Sequence, residues 1–373
     1  MYQAPTIGGH DYWEALSALQ KAVRRGLTDE AVYWVTEIAL SGRHKAAAEK
    51  MFVYAAEEVS IGAPNLVCEL VSLHKIYLYR YRNGGNYLAP IIEGILRCCR
   101  AQKLRRNDNA YGLYVEGQHY GHPQTPPDEL PSEKRSRMTL LREALVRSDT
   151  HAALYLGTIL DERQPGWAKT SHSDYKSTPG HKHLCKETLG VLTDVAMNNI
   201  DTERAPNVLP QIEAITYIYK QRESNAGSLL YVIDAILRVV EAPKIEPHQS
   251  REYYQRLYGE DSPDRPYHDI PLYCLDQFTD DGKRIPSEYG GNQATMEYFF
   301  EVSAYCANNA HLGDPFYKEN RAMWESWCPK KGKHPAPYDR GAALEKTAKR
   351  YEGYLRKQQE KHSSGTTQAE IPF

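Results

Sequence analysis

Two stretches of this 373-residue chain interleave tyrosines with cations. Tyr77-Leu-Tyr79-Arg80-Tyr81-Arg82 follows Lys75, and Tyr217-Ile-Tyr219-Lys220-Gln-Arg222 repeats the theme. Rings of this kind stack on nucleobases while Arg and Lys meet the phosphates. Four-residue spacing puts Lys75, Tyr79 and Arg82 on one side of a helix. Tyrosines at this density also suit helix packing with a wet hydroxyl. The run Arg97, Arg100, Lys103, Arg105, Arg106 is a second phosphate-binding candidate, although cations are favoured at a helix C-terminus for local reasons as well. The candidate nucleic-acid residues are therefore Lys75, Tyr79, Arg82, Arg97, Arg100, Lys103, Lys220 and Arg222.

Other chemistries have thinner support. His181, His183 and Cys185, with His172, His119 and His122, bring zinc to mind, but structural zinc is held by paired Cys/His knuckles and no second pair is evident. No metal is expected. His268, Asp269 and Asp276, with Asp280 and Asp281, form the densest acidic cluster. An enzyme of undefined reaction would centre there, although caps and turns suit the aspartates equally. A nucleotide-binding loop of the form G-x-x-x-x-G-K-[ST] is lacking, since Gly282-Lys283 runs into Arg284 with no upstream glycine in place. Without that cradle of backbone N–H groups no ATP chemistry is expected. We assign no catalytic residue and no cofactor.

The elements that must carry these residues are helical throughout. Trp13, Leu16, Leu19 and Val23 recur at helical spacing, as do Ala31, Trp34, Val35 and Ile38. Gly26 separates the two runs, and Thr28 with Asp29 and Glu30 predicts an N-cap and acidic first turn. Further helices are predicted over 44–59, 65–82 and from 86 to about 106. A second copy follows. Leu19 onward aligns without gaps on Leu141 onward; 63–65 matches 205–207, both Ala-Pro-Asn; 77–82 matches 217–222; and IIEGILRCCRAQKL (91–104) matches VIDAILRVVEAPKI (232–245). Four anchors in one order predict tandem helical units stacked as in helical arrays. The first spans 11–106, after a loose arm over 1–10. A Pro-rich connector covers 107–135, and the second unit spans 136–245 with an inserted loop at 163–180. Residues 246–340 form an irregular helical region, with helices predicted at 271–280, 293–308 and 315–327. Residues 341–373 form a charged helix and flexible tail. The fold class is all-α.

Composition narrows the function. A formal charge of −2 argues against coating DNA by bulk charge, though local basic clusters remain available. Mean hydropathy is −0.65, and no apolar run nears the roughly 20 residues needed to span a bilayer. The N-terminus lacks the order of a signal peptide. Seven cysteines, mostly within apolar helical patterns, read as reduced core thiols in a cytoplasmic protein without membrane contact.

Residues 11–34, from Asp-Tyr-Trp through Ser-Ala-Leu-Gln-Lys to Ala-Val-Tyr-Trp, resemble the start of the C-terminal helical region of the RarA/MgsA AAA+ family. Ala55-Ala56-Glu57-Glu58-Val59-Ser60-Ile61-Gly62-Ala63-Pro64 is similar to that family's SEDIGLA turn, and Glu223-Ser224-Asn225-Ala226 to its KSNAAY element. The resemblance is continuous over about 11–67, patchy to 245 and absent beyond. It implies a clamp-loader collar: an oligomerising helical platform that works beneath ATPase modules in DNA replication, recombination or repair, here without the motor. It also implies a homo-oligomer, with Trp13, Tyr33 and Trp34 as packing or subunit-contact residues, and a separate AAA+ ATPase chain as partner. The tail, Gln368-Ala-Glu-Ile371-Pro-Phe373, resembles peptides that bury an aliphatic and an aromatic anchor in a sliding clamp. The expectation is a non-catalytic oligomerisation adaptor. The alternatives are a DNA-binding module using the Tyr/Arg/Lys helices and the enzyme centred on His268–Asp276.

Overall fold

The computed structural model describes residues 5–117, 124, 134–159, 181–200, 205–221, 228–241 and 314–327. These are helical, with no strand among them. Helices α1 (Tyr12–Arg25) and α2 (Thr28–Ile38) open the chain, followed by α3 (His44–Tyr54), α4 (Leu66–Arg82), α5 (Leu88–Arg100) and α6 (Arg106–Tyr111). Then come α7 (Lys134–Val146), α8 (Thr150–Ile159), α9 (His181–Asn198), α10 (Ala205–Gln221), α11 (Ser228–Glu241) and α12 (Pro315–Trp327).

Local chemistry accounts for the first hairpin. The Asp11 carboxylate accepts from the backbone N–H of Trp13 at 2.8 Å and of Glu14 at 3.2 Å, capping α1. Gly26, at φ 72°, closes the helix in the left-handed region that costs glycine least. The cap expected from Thr28 is not made: Leu27 holds the cap position and Thr28 is already helical, so α2 begins on the acids Asp29 and Glu30 alone.

Within the first half α2 packs on α1 and α5, α4 packs on α5, and α3 lies against both α4 and α5. Within the second half α8 packs on α7 and α11, α10 packs on α11, and α9 lies against both α10 and α11. One continuous hydrophobic core runs through both sets.

The join between the halves is polar and buried. Beyond α3 the chain passes through a π-type turn, Ala55–Val59, to Ser60, whose φ of 49° and ψ of −126° lie in territory favoured only by glycine. The Ser60 hydroxyl donates to Asp234 Oδ1 at 2.7 Å. Arg238 Nε donates to Asp234 Oδ2 at 2.9 Å, Nη1 to Pro64 O at 2.7 Å and to Gln211 Oε1 at 2.8 Å, and Nη2 to Ser60 O at 3.2 Å. The turn that resembles SEDIGLA is thus welded to α10 and α11.

Residues 107–135 do not begin as a plain connector. Helix α6 and a π-type turn, Gly112–Glu116, occupy the start of that stretch. Asn107 Nδ2 donates at 3.1 Å to both Ala56 O and Leu230 O, so one side chain bridges the two halves. Asn109 reaches Asp314, and Arg106 pairs with Glu241 at 2.6 Å while lying over the Phe316 ring. The helix expected at 315–327 is present as α12, packed on α6. The predicted insertion at 163–180, the helices at 271–280 and 293–308, and residues 341–373 lie outside the described residues.

Candidate functional site

Helices α4 and α10 meet side by side, and the tyrosine–cation patterns flank their seam. His74 Nδ1 and the Tyr217 hydroxyl are 3.1 Å apart, and Lys75 Nζ sits 5.3 Å from the centre of the Tyr217 ring. Burial pushes His74 down to about 4, so this imidazole is neutral and serves as a hydrogen-bond partner, not a charge. Burial also raises the Tyr217 phenol, against the pull of the nearby Arg82. Along the outer face of α4, Lys75, Arg80 and Arg82 are exposed, Ile76 is 42% exposed and Tyr79 is 70% exposed. Lys220 is exposed one turn beyond Tyr217, and Glu213, exposed one turn before it, bounds the patch. Cations surround a free ring and a half-buried one, an arrangement suited to stacking a base and holding its phosphates. The Tyr79 and Lys220 assignments could be made from spacing. The part played by His74 could not, because its partner lies 143 positions away.

The second basic run is divided by burial. Arg97 is held by Glu93 at 2.7 Å and Glu69 at 2.5 Å. Arg100 is half-buried on the last turn of α5. Lys103 is a correction: it is 3% exposed, and its ammonium donates to the carbonyls of Cys98, Cys99 and Ala101 at 2.6, 2.8 and 2.8 Å. It caps α5 from within and is out of reach of a phosphate. The fifth helix accordingly stops at Arg100, short of the expected end near 106.

Of the two roles expected of Tyr33 and Trp34, subunit contact is corrected and packing is the one the structure shows. Tyr33 and Trp34 are 5% and 1% exposed, with the Trp34 ring edge-on to Tyr33 and His10. An aromatic pair in the core gives its area to folding and leaves none for a partner. Trp13 faces outward at 45% exposure.

A charged knot lies behind the SEDIGLA-like turn. Arg24 forks onto Glu58 through two bonds of 2.7 Å, and Arg105 approaches it at 3.4 Å. Gln20 Nε2 donates to Glu58 at 3.0 Å and to Glu57 at 2.6 Å. Burial would raise Glu58, but the two guanidiniums prevail and hold it down at about 2. Glu57 is pushed up to about 7 by burial, then by Asp108 and Glu58. Between roughly pH 4.5 and 7 the folded chain therefore keeps a proton on Glu57 that the unfolded chain has lost, and stability falls as pH rises through that window. Glu57→Gln is expected to flatten that slope. Urea midpoints at about pH 5 and about pH 7.5 check it; an unchanged difference between them assigns the titration to another group.

Cys98 and Cys99 are free and buried, and Cys68 is free and half-buried. Burial drives the Cys99 thiol up to about 12 and Cys98 higher still, so neither acts as a thiolate. Among the described residues no three His, Cys, Asp or Glu side chains are placed to hold a metal, and no helix is long and apolar enough to cross a membrane. The side chains of His181, His183 and Cys185, together with His119, His122, His172, Arg222, His268, Asp269, Asp276, Gln368, Ile371 and Phe373, lie outside the described residues. The chain matches no protein-family model, no curated protein and no solved structure.

Proposed function

We propose that the chain is a non-catalytic helical adaptor of DNA replication, recombination or repair, built from two collar-like units, which holds single-stranded nucleic acid along the α4–α10 seam. The observation that carries this reading is the meeting of α4 and α10, which brings Lys75, Tyr79, Arg82 and Lys220 to the surface around Tyr217. The recurrence of one packing scheme in both halves supports the tandem units, and the aligned anchors supply the matching sequence. The RarA/MgsA resemblance supplies the biological setting, and the cysteines read as reduced core thiols supply a cytoplasmic location. The resemblance also names an AAA+ ATPase chain as partner, while the tail's likeness to clamp-binding peptides names a sliding clamp, through Gln368, Ile371 and Phe373. Co-purification of a clamp with the full chain but not with one ending at Ser364 tests that contact.

The nucleic-acid contact is tested by fluorescence anisotropy with a labelled oligothymidylate at several salt concentrations. Each phosphate neutralised contributes about −0.7 to the slope of log K against log salt. Lys75→Ala and Lys220→Ala are each expected to make the slope shallower by about that amount. Tyr79→Ala is expected to cost about 1–3 kcal/mol with the slope unchanged, because a stacking ring carries no charge. Binding that is absent, or indifferent to all three changes, removes the seam as a nucleic-acid site.

A further inference from the structure

Among the described residues one side-chain cluster is built twice and covered once. On α11, Asp234 pairs with Arg238, Arg238 also donates to Gln211 of α10, and the turn at 60–64 bonds to both Asp234 and Arg238, whose side chains are 2% and 1% exposed. On α5, Glu93 and Arg97 occupy the aligned positions, and Glu69 of α4 takes the part of Gln211. Arg97 touches both carboxylates, just as Arg238 touches Asp234 and Gln211. Yet Arg97, Glu69 and Glu93 are 23%, 27% and 32% exposed, and among the described residues no turn lies over them.

We propose that the Glu69–Glu93–Arg97 cluster is a docking site for a second copy of this chain, which presents the stretch of its second half that matches 60–64. Copies then join head to tail by repeating the contact that already joins the two halves.

Three features define the occupant. The first is continuity: the contact exists within the chain, between units that pack alike, and helical arrays grow by repeating such a contact. The second is the hydroxyl. Aligning Ala63-Pro64-Asn65 with Ala205-Pro206-Asn207 places Thr202 where Ser60 stands. Ser60 donates to Asp234, so Thr202 has Glu93 as its acceptor. The third is charge. Glu69 in place of Gln211 adds one negative charge to the first-half cluster; in the incoming stretch Arg204 in place of Gly62 adds a cation and Glu203 in place of Ile61 an anion, so the stretch stays neutral overall and Arg204 alone is the counterpart of Glu69. Residues 201–204 lie outside the described residues, and it is their sequence that enters here. A contact between two different faces leads to open chains or to rings, not to a closed two-fold dimer. The inference rests on the tandem units of the proposed adaptor and is independent of its nucleic-acid contact.

The test is sedimentation velocity of the full chain, freed of nucleic acid, up to about 100 µM, where a contact of micromolar Kd is well populated. The wild type is expected to form species that grow with concentration. Arg97→Glu, which spoils only the receiving face, and the double change Thr202→Ala with Arg204→Glu, which spoils only the incoming stretch, are each expected to be monomeric. Mixed in equal amounts, they retain one good face of each kind and are expected to form a one-to-one pair and nothing larger. Should Arg97→Glu lose its helical circular dichroism, Glu93→Lys takes its place. A monomeric wild type, association that survives Arg97→Glu, or a mixture that stays monomeric each overturns the proposal. Loss of nucleic-acid binding without loss of association would instead fault only the seam.

Discussion

Arg238→Ala is expected to destabilise the chain by about 3–5 kcal/mol, the range seen when one partner of a buried ion pair is removed. The side chain is 1% exposed and makes four hydrogen bonds, to Asp234, Gln211 and the carbonyls of Ser60 and Pro64. Its loss strands the Asp234 carboxylate in the interior with Ser60 as its remaining donor, and leaves two carbonyls of the weld unmatched. In a chain of this size that corresponds to a fall in Tm of about 5 °C. The location of the damage is informative as well. Because Arg238 joins the second half to the turn at 60–64, amide exchange should quicken on both sides of the join, at Ser60 and Pro64's neighbours and along α10. A variant within about 1 kcal/mol of wild type would mean that the packing of α4 on α10 and of α6 on α11 holds the halves without it.

Glu58→Gln is the second large effect, again about 3–5 kcal/mol, because it removes the carboxylate that the buried Arg24 and Arg105 share, leaving Arg105 its pairing with Asp108. The pH dependence gives a separate check. Glu58 sits at about 2 in the folded chain against 4.5 for the unconstrained group. A carboxylate lowered by folding contributes stability that is fully present above about pH 4.5 and is lost as pH falls towards 2, here on the order of 3 kcal/mol. Wild type should therefore lose stability steeply in that window, and Glu58→Gln should start lower and lose less. Urea unfolding at about pH 7 and about pH 3 decides it, and parallel losses in the two proteins would assign acid sensitivity to other carboxylates.

Much of the helical framework could be read from spacing. Trp13 to Val23 and Ala31 to Ile38 marked the first hairpin, Gly26 its break, and Pro315 to Trp327 the last described helix to the residue. Apolar period is a local property, so a linear chain displays it. Burial of polar groups is not local. Lys103 reads as one more surface cation, because the carbonyls it satisfies converge only once α5 has ended and the chain has turned. Tyr33 and Trp34 read equally well as a contact patch or as core, since a helix with two apolar faces has no periodicity to separate them. Helix α6 was hidden because Arg-Asn-Asp-Asn-Ala-Tyr carries almost no apolar stripe; the Asn107 amide, bonded to distant backbone, and the Asn109 amide, bonded to Asp314, hold it in place. The outward tyrosine face of α4 was legible in type and spacing. Its meeting with α10 was not, for it depends on a neighbour far along the chain.

The place of Asn107 also has a historical consequence. If the two halves began as one unit copied in tandem, the segment between them would have been free to vary. In the present chain that segment starts with an amide bonded to Ala56 on one side and Leu230 on the other. Once a linker has become a shared internal brace, neither copy can be shed or shuffled to another gene without exposing the bonds it helped to bury. On that history the chain would have given up the modularity of its origin, and later change would be channelled to surfaces the brace does not touch.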